Sequence, residues 1–186
     1  WPIMLLNSYF EGQRKSAILT NEGGLTIVRM KVKNVPVAVE IKENAPDRLF
    51  MEDCIFENVK RTGLILTDAG NAATQINLRG IQCKNVPVFS LERSTNEQVS
   101  GKGKAYQITR FTYGFNANSL EDIPQIVREA EIVPIESIIP LDVGDTPMLP
   151  TMNHWVNIRD LGAKGDGFSD DTEIFREAIK KYTNIY

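Results

Sequence analysis

Three carboxylates, Asp166, Asp170 and Asp171, crowd into the short stretch "GDGFSDDT". Paired carboxylates flanking a glycosidic bond are the usual device of glycoside hydrolysis, and clustered carboxylate oxygens bind calcium. A competing structural role fits the spacing better. An Asp in a Gly-rich turn, or at the start of a helix, accepts from backbone N–H groups that otherwise lack partners. Gly162, Gly165, Asp166, Gly167, Asp170, Asp171 and Thr172 are therefore expected to form a structural cap, and no residue is assigned as catalytic. His154 is the only histidine, which excludes a multi-histidine metal site. Cys54 and Cys83 lack metal-type spacing and sit in alternating apolar patterns, as buried small hydrophobes do. No metal and no cofactor is expected.

Sugar recognition needs flat rings and hydrogen-bonding groups. Tyr106, Arg110, Tyr113 and Trp155 are the candidate substrate contacts on that ground. Aromatic residues serve as packing anchors at least as often, and packing is the stronger reading of these four.

The elements that must position such groups are legible as a repeat. "SYFEG", "KVKNVPVAV", "IFENVKRTGLIL" and "QCKNVPVFSL" share one pattern, with Gly12, Asn34, Asn58 and Asn85 at equivalent places 22, 24 and 27 residues apart. Apolar residues alternate around each marker. Ser8, Met30, Cys54 and Ile81 form one column, and Phe10, Val32, Phe56 and Cys83 the next. Val35, Val59 and Val86 follow the markers, and Val37, Val39, Ile41, Leu64, Leu66 and Val88 continue the alternation. Period two marks strands with one buried face, and a unit of this length points to stacked coils. The reading is a parallel β-helix in which like residues form columns. Asn and Gly tolerate the left-handed backbone of a sharp turn, and stacked Asn side chains can hydrogen-bond along the pile. Loops of variable length, "KENAPDR" and "TDAGNAATQ", would leave one side of the stack and build a binding face.

Beyond Ser94 the pattern fades. "STNEQVSGKGK" reads as a loop, "AYQITRFTYGF" as one or two strands, and "NSLEDIPQIVREAEI" as a short helix capped by Ser119 with Asp122. The prolines at 134, 140, 147 and 150 predict an extended connector, with Ile138, Ile139, Met148 and Trp155 packed against a neighbour. "WVNIRDLGAKGDGFSDDTEIFREAIKKY" predicts a strand at Val156 and Ile158, a Gly-rich turn, and a helix. Asp170 or Asp171 would cap that helix, and Phe175, Ala178, Ile179 and Tyr182 would form its apolar face.

Val156–Ile179 resembles the entry segment of the pectate-lyase-like, or glycoside-hydrolase-28-related, right-handed β-helix superfamily. Its members open with a "GAKGDG…DDT" pattern that caps a β-helix lying downstream. Leu161 stands where an aromatic residue is usual. A β-helix before this motif and another after it resembles the tandem arrangement of glycoside hydrolase family 55, whose members are β-1,3-glucanases. The fold class is then all-β. Residues 1–100 would be the last coils of one right-handed parallel β-helix, 101–150 a connector and cap region, and 151–186 the start of a second, with a short capping α-helix.

The resemblance implies a piece of a hydrolase acting on a polysaccharide, with a β-1,3-glucan as the implied substrate. Its active site would lie in the second β-helix, the remaining part of the same polypeptide, and its location would be extracellular or periplasmic. The active-site patterns of polygalacturonases and pectate lyases are missing here. A polysaccharide lyase acting on uronates, and a non-catalytic tailspike or surface adhesin that binds glycans, are the alternatives. Net charge is −3 with no basic block, so no nucleic-acid partner is expected. No apolar run approaches the roughly 20 residues that span a bilayer, so no membrane partner is expected either. The start "WPIMLLNSYF" lacks the features of a signal peptide and reads as the interior of a longer chain.

Overall fold

Short segments with alternating apolar residues cannot bury their inner faces singly, and here they do so by stacking. The computed structural model describes residues 2–21, 23–66, 73–117, 119, 121–141 and 151–186. The first coil consists of β1 (Ile3–Leu6), β2 (Tyr9–Glu11) and β3 (Ser16–Thr20). β4 (Leu25–Val28), β5 (Lys31–Lys33) and β6 (Val37–Ile41) form the second. β7 (Arg48–Glu52), β8 (Ile55–Glu57) and β9 (Thr62–Leu66) form the third. The next layer fuses two strands into β10 (Gln75–Lys84), followed by β11 (Val88–Glu92). Equivalent strands pair in parallel, in the orders β1-β4-β7-β10, β2-β5-β8-β10 and β3-β6-β9-β11. This is a parallel β-solenoid, mostly β in content.

The columns match the expected register. Phe10, Val32, Phe56 and Cys83 lie side by side across the coils. Met30, Cys54, Ile81, Val35, Val59 and Val86 are buried in the same core. Val88 departs from the pattern. It is only half-buried, and Phe89 takes the interior position where the pairing register of β11 shifts.

The turn markers behave as their chemistry requires. Gly12, Asn34, Asn58 and Asn85 all adopt positive φ, the left-handed conformation that Gly and Asn tolerate best. Their side chains form a ladder along the stack. Asn85 Nδ2 donates to Asn58 Oδ1 at 2.7 Å, Asn58 Nδ2 to Asn34 Oδ1 at 2.9 Å, and Asn34 Nδ2 to Glu11 Oε1 at 2.7 Å. Asn58→Ala loses two ladder bonds and places Cβ in a left-handed turn, for an expected loss of about 1–3 kcal/mol. Asn58→Gly keeps the turn and should lose about half as much, and denaturant unfolding of the two variants checks the difference. A second column of left-handed residues, Asn7, Arg29, Asp53 and Gly80, turns the chain five residues earlier in each coil. Sequence reasoning missed it, because the column changes residue type from coil to coil (Asn, Arg, Asp, Gly) and so leaves no repeated marker.

An antiparallel cap closes the far end of the solenoid. β12 (Gln98–Ser100) pairs with β11, β13 (Ala105–Asn116) with β10, and β14 (Gln125–Pro134) with β13. The helix expected in "NSLEDIPQIVREAEI" is therefore a strand. Ser119 and Asp122 do meet, with the Ser119 N–H donating to Asp122 Oδ2 at 2.9 Å, but they close a turn ahead of β14. Its exposed edge carries Glu129 and Glu131, the kind of charge that blocks edge-to-edge pairing.

Residues 135–141 then run back over the outer face of the solenoid. The buried Gln82 amide holds this strap at both backbone polar groups of Ile139, donating to its carbonyl at 2.9 Å and accepting from its N–H at 2.7 Å. Ile138 is half-buried but Ile139 is exposed, contrary to expectation, because the Gln82 amide holds Ile139 by its backbone. Met148 lies outside the described residues.

The chain divides into two compact units, 1–143 and 144–186. The second contains two short 3-10 helices, Met152–His154 and Ile158–Leu161, and α1 (Thr172–Lys181). The expected entry strand is reduced to one parallel bridge between Val156 and Ile185, because the chain turns into a 3-10 helix at Ile158. Only Ala178 of the expected apolar helix face is buried. Phe175 and Ile179 are exposed, and the inner line runs Ile174, Ala178, Tyr182.

Candidate functional site

Each carboxylate of the acidic cluster accepts from backbone N–H groups. Asp166 accepts from the N–H groups of Phe168 and Ser169 at 2.9 and 2.7 Å and from the Ser169 hydroxyl at 2.9 Å. Asp170 accepts from the Thr172 N–H at 2.9 Å. Asp171 occupies the N-cap position of α1, but its carboxylate turns backward to the N–H groups of Lys164 and Gly165. Gly162, Gly165 and Gly167 all have positive φ, as the tight turns require. No group of three or more His, Cys, Asp or Glu among the described residues could hold a metal ion.

The hydrogen bonds from Ser169 and Phe168 hold the Asp166 carboxyl below its ordinary 3.8. A depressed folded-state pKa contributes stability above the unfolded value, and that contribution is lost as pH falls through the folded value. The amides of Phe168 and Ser169 should therefore keep constant protection down to about pH 4 and lose it in stronger acid. Hydrogen exchange across an acid titration checks this.

Two of the four candidate sugar contacts are interior. Tyr106 is 0 % exposed and donates its hydroxyl to the Val86 carbonyl at 2.7 Å. Tyr113 is 2 % exposed and donates to Glu92 Oε1 at 3.2 Å. Neither ring can meet a glycan, because both lie inward on β13 and close the end of the core. Arg110 is exposed, but ion pairs with Glu131 at 2.6 Å and Glu129 at 3.9 Å hold its guanidinium. Trp155 is half-buried in the second unit. Of the three candidates in the first unit, only Arg110 is exposed. Burial pushes both free cysteines, Cys54 and Cys83, up to about 12, so neither thiol is a nucleophile.

Elsewhere on the solenoid, a groove of about 710 Å³ crosses the coils where the chain enters β4, β7 and β10. Its floor includes the outward column Thr26, Phe50 and Asn77, three residues in register. Gly23, Gly24, Pro46, Arg48 and Gln75 complete its walls. Phe50 and Arg48 are both exposed, and no ion pair of the Arg48 guanidinium is seen among the described residues. The single carboxylate among the described lining residues is Asp47, and it is a staple. It is buried and accepts from the Thr20 hydroxyl, from the Gly24 N–H at 3.1 Å and from the Arg48 N–H at 2.8 Å. Its own N–H donates to the Thr74 hydroxyl at 3.3 Å, so one residue ties three coils together. An aromatic face, an amide-bearing wall and one guanidinium can bind, and among the described residues no second carboxylate stands across the groove to act as acid or base. The loops that the sequence offers as a binding face carry Pro46, Asp47, Arg48, Ala73 and Gln75 of this groove, but Thr26, Phe50 and Asn77 lie on strands and join them only through coil stacking. No helix among the described residues is long and apolar enough to cross a membrane. No protein-family model matches the chain, and no curated protein matches it either.

Proposed function

We propose that this chain supplies a glycan-binding groove to a carbohydrate-active protein of the pectate-lyase-like β-helix superfamily. The whole protein is then a polysaccharide hydrolase, with a β-1,3-glucan as the first substrate class to test. The observation that carries the reading is the groove itself, in which an exposed Phe50 ring lies beside Arg48, Gln75, Asn77 and Thr26. Aromatic faces stack on sugar rings, while amides, hydroxyls and guanidinium groups hydrogen-bond to sugar hydroxyls. Asp47 is spoken for by three donors, so the groove binds, and cleavage falls to carboxylates elsewhere in the polypeptide.

The exposed Arg48 guanidinium in the groove favours a second reading, an acidic glycan cleaved by a lyase. Native gels cast with a neutral β-1,3-glucan or with a polyuronate separate the two. Selective retardation by the neutral glucan is the expected result, and selective retardation by the polyuronate, with products absorbing in the near ultraviolet, would replace the hydrolase reading.

A further inference from the structure

The two ends of the solenoid differ. At the far end, β12, β13 and β14 cover the last layer with antiparallel strands. At the near end, β1, β2 and β3 are each the terminal strand of their sheet path and pair on one side only. The inward column shows the consequence. Ile3 is 53 % exposed, whereas its partners in register, Leu25, Leu49 and Ile76, are 5, 2 and 0 % exposed. Leu5, Phe10 and Ile18 are likewise only half-buried, although Ile27, Val32 and Val39 one coil further in are wholly buried.

We propose that this end is an interface for one further parallel β-coil of the same polypeptide, stacked in register on β1–β3. Three properties define the occupant. Its strands run parallel to β1, β2 and β3, because the coil-to-coil interface already repeats in that sense through the stack. Its inward residues are apolar, to cover Ile3, Leu5, Phe10 and Ile18. Its turns carry left-handed residues above Asn7 and Gly12, where both columns of positive φ begin. A second copy docked by a twofold axis fits poorly. Rotation reverses the order of strands around the coil, so only one strand can meet its own counterpart. The remaining strands, of unequal length (4, 3 and 5 residues for β1, β2 and β3), would then meet unlike partners.

The test uses the chain's own second coil as the probe. Leu25 pairs with Leu49, so a copy of residues 25–48 placed directly ahead of Ile3 continues the register. Hydrogen exchange should show the amides of Ile3–Thr20 slowed by about tenfold or more relative to the unextended chain. The melting temperature should rise as well. The same extension carrying Ile27→Asp and Val32→Asp in the copied coil should give neither effect, while unchanged protection of β13 verifies that each protein is folded. Unslowed exchange in the folded, extended chain would overturn the proposal. So would an unextended chain that is dimeric in solution and already protects Ile3–Thr20, which would assign the face to a second copy.

Discussion

Tyr106→Ala should lower the stability of the first unit by about 3–5 kcal/mol, as removal of a large buried aromatic does. The ring fills the space above Cys83, its register partner, at the end of the core column that begins at Phe10. Its fit is close enough that a Cβ added at Gly101 would stand 2.2 Å from the ring, so this end of the core cannot repack freely. Burial also raises the phenol's pKa well above its ordinary value, which leaves the hydroxyl a donor to the Val86 carbonyl at any moderate pH. Tyr106→Phe keeps the volume and loses only that bond, for an expected cost of about 1–2 kcal/mol. Denaturant unfolding followed by tryptophan-independent circular dichroism measures both variants. A variant that unfolds like the parent but loses glycan affinity would return Tyr106 to the binding site.

Asp47→Ala should cost about 2–4 kcal/mol, although the residue borders the groove. The substitution leaves the N–H groups of Gly24 and Arg48 and the Thr20 hydroxyl without their acceptor in a buried setting. Asp47→Asn preserves shape but turns one acceptor oxygen into a donor, so about half of that loss is expected. Because Asp47 positions Gly24 and Arg48, affinity for glycan should fall together with stability in both variants. A catalytic Asp47 would behave differently, since Asn would abolish turnover with stability almost intact.

Much of this architecture is written in the chain as spacing. The 24- and 27-residue intervals between Asn34, Asn58 and Asn85 fix both the coil length and the ladder. The column Phe10, Val32, Phe56, Cys83 follows from alternation alone. The cap was less legible. "IPQIVREAEI" carries charges at helical as well as alternating positions, and only pairing with β13 decides for a strand. In the Asp-rich turn the carboxylates accept from backbone N–H groups, and Asp171 reaches back to Lys164 and Gly165 rather than capping its own helix. Tyr106 and Tyr113 look like sugar contacts in sequence because a buried and an exposed tyrosine are spelled alike. The groove was legible only in part. Arg48 and Gln75 close the two loops that the sequence offers as a binding face, whereas Phe50 and Asn77 lie on strands of two coils and meet only after those strands take the same register.

The most direct test of the account is a binding measurement on the doubly substituted groove, Arg48→Ala with Phe50→Ala. Both side chains are exposed, so the variant should melt close to the parent. Affinity electrophoresis in gels containing a β-1,3-glucan should show the parent chain retarded and the double variant running as if no glycan were present. A parent chain that no polysaccharide retards, or a folded double variant that is retarded equally, would contradict the assignment of this groove to glycan binding.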